Sequence, residues 1–209
     1  MPRSELVALL VALAAWAVPP SANSGENGRA LYAGCVACHG SAGEGVAATG
    51  APPLAGLDPV YLQRQLAAFA SGSRGTQPGD KFGATMRAAG MPLLRSEQER
   101  AAVAAYLGGL TRPTSGPATA ANTNGRNYFN AVCGACHGGA GEGNIALSAP
   151  RLAGLPAAYI ARQFAAFKSG QRGAAQGDRY GAQMRAVTSM LPDDASVRDV
   201  IAHTASLRP

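Results

Sequence analysis

Bulky side chains are scarce in this chain: aromatics make up 6% of it, and tryptophan occurs once. Glycine is present 27 times in 209 residues, roughly twice its ~7% usual share. So few large groups per residue mean little apolar burial, and something other than side chains can occupy the middle of a fold this size. Long hydrophobic runs are also missing, with one exception. Leu6 to Val18 is continuously apolar for 13 residues, short of the ~20 that span a bilayer. With Arg3 before it and Pro19-Pro20-Ser21-Ala22-Asn23-Ser24 after it, the run reads as a secretory signal peptide over residues 1–24, cut after Ala22 or Ser24. An uncleaved anchor and a buried helix are the competing readings. Export to the periplasm, with at most peripheral membrane association, is the expectation. The charge is +6, but no basic run of five or six and no basic–aromatic interleaving occurs, which argues against nucleic acid as a partner.

What is present is a duplication. Cys35-Val36-Ala37-Cys38-His39-Gly40 returns 98 residues on as Cys133-Gly134-Ala135-Cys136-His137-Gly138. Leu54-Ala55-Gly56-Leu57 returns as Leu152-Ala153-Gly154-Leu155, Arg64-Gln65 as Arg162-Gln163, and Arg74-Gly75 as Arg172-Gly173. Gly83-Ala84-Thr85-Met86-Arg87-Ala88 returns as Gly181-Ala182-Gln183-Met184-Arg185-Ala186. Two copies are too few for a stacked solenoid, so the organisation expected is two similar domains, 25–110 and 125–209. The Thr-, Pro-, Ala- and Asn-rich stretch 111–124 is expected as a linker.

Each copy reads as helical. Asp58-Pro59 offers an N-cap with proline at the first helical position, Leu62, Leu66 and Phe69 follow at helical spacing, and Gly72 ends the pattern. Pro156, Ile160, Phe164, Phe167 and Gly170 repeat it. Ser96 with Glu99 is a capping box before an apolar face of Val103, Tyr106, Leu107 and Leu110; Val197, Val200 and Ile201 are its counterpart. A short helix is expected before each cysteine pair. No segment alternates like a strand, so the fold class is all-α.

All four cysteines fall in the two Cys-x-x-Cys-His motifs. That pattern is the attachment signature of a c-type haem, the thiols adding to the two vinyl groups and the imidazole lying beneath the iron. A structural zinc site would pool four ligands, whereas each copy offers three. A thioredoxin-like pair calls for a βαβ setting, and a disulfide across two residues would be strained. Met86 and Met184 each lie 47 residues beyond their histidine, in what reads as a loop of small and polar residues. They are the candidates for the opposite axial position, thioether being a known haem ligand. Met91 and Met190 compete, at unequal spacings of 52 and 53, and core filling is the alternative role for any methionine. His203, at the helix position of Tyr106, reads as a partly buried helix residue.

With these motifs, and with Gly28-x-x-Leu31-Tyr32, Pro52-x-Leu54-Ala55-Gly56 and Phe69-x-x-Gly72-x-Arg74, residues 25–209 resemble a dihaem class I cytochrome c of the cytochrome c4 family. The resemblance implies two tandem class I cytochrome c domains, each wrapped around one covalent haem, with the first and last helices of each crossing. It implies Cys35, Cys38, Cys133 and Cys136 as thioethers, with His39–Met86 and His137–Met184 as axial pairs. It also implies a hydrogen bond from each histidine to the carbonyl of Pro52 or Pro150, Pro53 being a rival only in the first copy. Arg74 and Arg172 are candidates to meet haem propionates, with a solvated loop arginine as the other reading. The expected function is electron carriage, from a cytochrome bc complex or dehydrogenase to a terminal oxidase. A cytochrome subunit of a dehydrogenase complex is the alternative, and a dihaem peroxidase, an enzyme that needs an open iron, stands third.

Overall fold

The computed structural model describes residues 23–112 and 122–208. The expected signal peptide, but for its last two residues, and most of the expected linker lie outside the described residues. The first half holds α1 (Asn23–Tyr32), α2 (Val36–His39), α3 (Pro59–Ser71), α4 (Lys81–Gly90) and α5 (Glu97–Gly108). The second holds α6 (Thr123–Tyr128), α7 (Gly134–His137), α8 (Ala157–Lys168), α9 (Arg179–Thr188) and α10 (Asp194–Ser206). Among the described residues there is no strand. A single antiparallel bridge closes the loop after each motif, Val46 with Ala51 and Asn144 with Ala149. No helix among these residues is long and apolar enough to cross a membrane.

Local chemistry sets the helix ends. The Asp58 carboxylate accepts from the Tyr61 N–H at 2.8 Å, Pro59 opens α3, and Gly72 closes it at φ 81°, a left-handed conformation that glycine adopts without steric cost. Ser96 and Glu99 form the reciprocal capping box of α5. Asp80 and Asp178 accept from the N–H groups of Gly83 and Gly181 and start α4 and α9. Those two caps overturn one expectation: Met86 and Met184 stand in α4 and α9 rather than in loops. A single glycine costs a helix only ~1 kcal/mol, less than a good cap and tertiary packing return.

In each half the first and last helices pack together, α1 against α5 and α6 against α10. Gly28 lies against the Ala102 carbonyl and Cβ of Tyr106, and Gly125 against the Asp199 carbonyl and Cβ of His203, where any side chain would collide. The first core gathers Tyr32, Leu57, Leu62, Leu66, Leu94, Val103, Ala104 and Leu107, with Met86 and Cys35 packed on it. In the second half Phe129, Leu155, Phe167, Leu191 and Val200 are buried, together with the hydroxyls of Thr188, Ser196 and Thr204. The halves also differ in register. The second has one extra residue between Gly125 and Cys133, and it is absorbed in a π-helical turn, Phe129–Cys133, where the first half has a 3-10 turn, Ala33–Cys35.

Candidate functional site

The turn after α1 brings Cys35 to the start of α2, and α2 carries Cys38 and His39; α7 repeats this with Cys136 and His137. Both imidazoles are buried, at 7% and 8% exposure. His39 Nδ1 lies 3.0 Å from the Pro52 carbonyl and His137 Nδ1 2.7 Å from that of Pro150. A carbonyl can only accept, so each Nδ1 carries the proton and donates it, and each Nε2 keeps a free lone pair. Burial lowers the pKa of both rings, the carbonyl bond pulling the other way, so both are neutral, the form that binds a metal. The acceptor loops are themselves held. Leu54 and Ala55 donate to the Gly43 carbonyl at 2.7 and 3.0 Å, and Leu152 and Ala153 to Gly141 at 2.8 and 2.9 Å.

Burial, ahead of the neighbouring Cys38 and Cys136, raises the pKa of the inner thiols, pushing Cys133 up to about 11 and Cys35 in the same direction. Cys38 and Cys136 are exposed. Among the described residues no three of His, Cys, Asp or Glu are placed to hold a metal ion together. The four cysteines, both histidines, Met86 and Met184 all border one cavity of about 420 Å³ that runs through both halves.

Where the halves meet, the cavity is edged by cations in repeat-related pairs. Arg64 donates to the Ser148 carbonyl at 2.7 Å, and Arg162 donates to that of Gly50. Arg64 stacks on Tyr180 at 4.5 Å and Arg162 on Phe82 at 4.1 Å. Arg74 donates to Gln65 and Gln163 at 2.8 and 3.0 Å, and Arg172 to Gln163 and Gln65 at 2.6 and 2.8 Å. Each contact has its mate at the equivalent positions, so the two halves meet with approximate two-fold symmetry. Burial, and then the charge of Arg74, lowers the pKa of Arg172.

The cytochrome c family model matches residues 25–111 and again 123–208. The chain is 33% identical to a thiosulfate dehydrogenase electron acceptor of Stutzerimonas stutzeri strain A1501, over 90% of this chain and 88% of that one. It is 34% identical to cytochrome c4 of Azotobacter vinelandii, over 81% and 84%. The crystal structure of reduced recombinant cytochrome c4 from Pseudomonas stutzeri superposes with a TM-score of 0.69 at 30% identity, covering 88% of this chain and 96% of that one. The chain belongs to the cytochrome c family, as a dihaem protein of the c4 type. It is an electron carrier and not an enzyme, and it binds two covalent c-type haems.

The residues of this cytochrome fit that group on two counts. In each half two thiols, a buried neutral imidazole and a thioether share one largely apolar cavity. The second count is charge. Nε of Arg64, Arg74 and Arg162 is buried without a hydrogen-bond partner, and the one ion pair among the described residues, Lys168 with Asp194 at 3.3 Å, lies elsewhere on the surface. Buried cations call for anions, and a haem brings carboxylates. Arg74 and Arg172 line the cavity, and the structure gives them glutamine partners across the junction. Sequence reasoning passed over Arg64, Gln65, Arg162 and Gln163. Their signal was available, since Arg64-Gln65 recurs unchanged as Arg162-Gln163.

Proposed function

We propose that this cytochrome is an exported, periplasmic shuttle that takes single electrons from a dehydrogenase or a cytochrome bc complex and hands them to a terminal oxidase. One observation carries the reading: in both halves a buried, neutral histidine and a methionine 47 residues further on border the same cavity. In this reading His39 and Met86 hold one iron and His137 and Met184 the other. A bound haem would supply reversible one-electron chemistry, and a thioether ligand would favour its ferrous state. The chain's own part is to fix each imidazole through Pro52 or Pro150, to keep water from it by burial, and to offer a methionine that would leave oxygen or peroxide no open site. Arg64, Arg74, Arg162 and Arg172 would meet the propionates, four cations for about four carboxylate charges.

Among donors, a dehydrogenase of thiosulfate is favoured by the likeness to a protein named as its electron acceptor. The test mixes the oxidised, loaded protein with thiosulfate dehydrogenase and thiosulfate and follows the visible haem bands. Two electrons per chain should be taken up at a rate that falls with added salt, because a net charge of +6 steers encounter with an acidic partner. Rapid carbon monoxide or peroxide binding by the untreated protein would overturn the reading, since it needs an open iron. A second reading, a fixed subunit of a dehydrogenase complex, draws on the same likeness. Native extracts separate the two, the shuttle eluting free and the subunit with its enzyme.

A further inference from the structure

The carbonyls of Pro52 and Pro150 each hold a histidine, and three residues further along each loop stand Ala55 and Ala153, both fully buried. Arg112 reaches both. Its Nε donates to the Ala55 carbonyl at 3.2 Å and its Nη1 to the Ala153 carbonyl at 2.5 Å. These two acceptors occupy the same position in the two repeats, so one planar guanidinium spans the approximate two-fold relation between the halves. The arginine contacts described above come in repeat-related pairs. This one has no mate among the described residues. Burial, and then the nearby charge of Arg151, brings the Arg112 pKa down to about 10, so it remains a cation at neutral pH. Arg112 Nη2 is buried without a partner. The loops it grips have little slack, for Ala55 and Ala153 are already bonded through their own N–H groups to Gly43 and Gly141. A displacement of either carbonyl therefore passes along three residues to the acceptor of the histidine Nδ1–H.

We propose that Arg112 is a positioning residue that ties together the two loops whose carbonyls hold the histidines, so that each haem site depends on the other half of the molecule. The proposal rests on His39 and His137 as axial ligands. It is tested on the loaded protein with R112A, R112K and, as a control, Q171A. Gln171 donates to the Pro78 carbonyl at 3.4 Å, a contact between the halves that touches neither loop. The readouts are the proton resonances of the two histidine Nδ1–H groups in the reduced state and the two midpoint potentials. R112A should shift both histidine resonances and both potentials, R112K should restore part of the shift, and Q171A should move none. Wild-type values in R112A, or a shift confined to His39 and its haem, would overturn the proposal. Should R112A fail to load haem, R112Q, which removes the charge and is too short for the Ala153 carbonyl, carries the comparison at His137 and its haem, where a wild-type resonance and potential would overturn the proposal. Unshifted histidine resonances in the wild-type protein would instead defeat the axial assignment, before any variant is measured.

Discussion

The two halves share a plan but spend their differences unevenly. At the motif, the proline carbonyl, the methionine and the Arg-Gln pair they match, while other positions lining the cavity differ, Leu66 against Phe164 among them. At the helix crossing they diverge. Tyr32 pairs with Tyr106 at 5.6 Å and its hydroxyl donates to the Gly40 carbonyl at 2.6 Å, inside the protein. The second half has Phe129, which has no such hydroxyl, set edge-on to His203 at 5.4 Å. Leu107 is replaced by Thr204, whose hydroxyl turns back to the Val200 carbonyl at 2.7 Å within its own helix. Groups that meet the haem or the other half are constrained by two partners at once. A helix crossing need only stay filled and satisfied, which many residue pairs can do.

The comparison breaks most visibly at sulfur. Met86→Ala and Met184→Ala should each abolish the sulfur-to-iron band of one haem only and lower its potential by on the order of tenths of a volt. Near-infrared spectra and redox titration check this, and a change in both haems from one substitution would deny the halves their independence at the iron. Next is Leu107→Thr, which copies the second half into the first. Leu107 is 2% exposed, and the change should cost the first half about 2–4 kcal/mol, read by calorimetry that resolves the two transitions. Tyr32→Phe makes the same exchange at the partner helix. The Gly40 carbonyl keeps the Gly43 N–H at 3.3 Å, so losing the hydroxyl should cost only about 1 kcal/mol, and an unchanged midpoint would mean that the hydroxyl contributes nothing.

The smallest effect is one of pH. Burial, and then the charge of Arg126, lowers the pKa of His203. The unfolded chain therefore takes up this proton first, near its ordinary ~6.5, and the folded chain only at lower pH. Stability from the neutral ring is whole above that value and drains as pH falls towards the folded pKa. His39 and His137 are held on iron in the proposed reading, so in the loaded protein a difference between the halves reports on His203. The second transition should fall faster than the first between pH 6.5 and 5, and His203→Tyr should remove the difference.

Much of this was legible from residues because it is local. The Asp58 and Ser96 caps, the Gly72 stop and the apolar faces of α3 and α5 each depend on neighbours a few positions away. The haem motif is a covalent pattern and needs no fold to be seen. Met86 and Met184 were readable as candidates by matched spacing, yet their helices were missed. Gly83 and Gly181 look like loop residues until the Asp80 and Asp178 caps are weighed against them. The π-helical turn before Cys133 was hidden for another reason: an extra residue shows in an alignment of the repeats, but the backbone's way of absorbing it depends on packing. Arg112 was least legible. Its two acceptors are main-chain carbonyls 57 and 41 positions away, and a carbonyl carries no residue-type signature.

Arg74 and Arg172 sit within reach of the same two amides, so closing the halves brings like charges together out of water. That is unfavourable for a bare polypeptide, and it becomes acceptable once carboxylates arrive. Maturation then has a direction. Attachment of both tetrapyrroles before the halves close is the expected order, since their carboxylates would offset the paired guanidiniums. A chain stalled with one motif unloaded should be cut between its halves by protease more readily than the mature molecule.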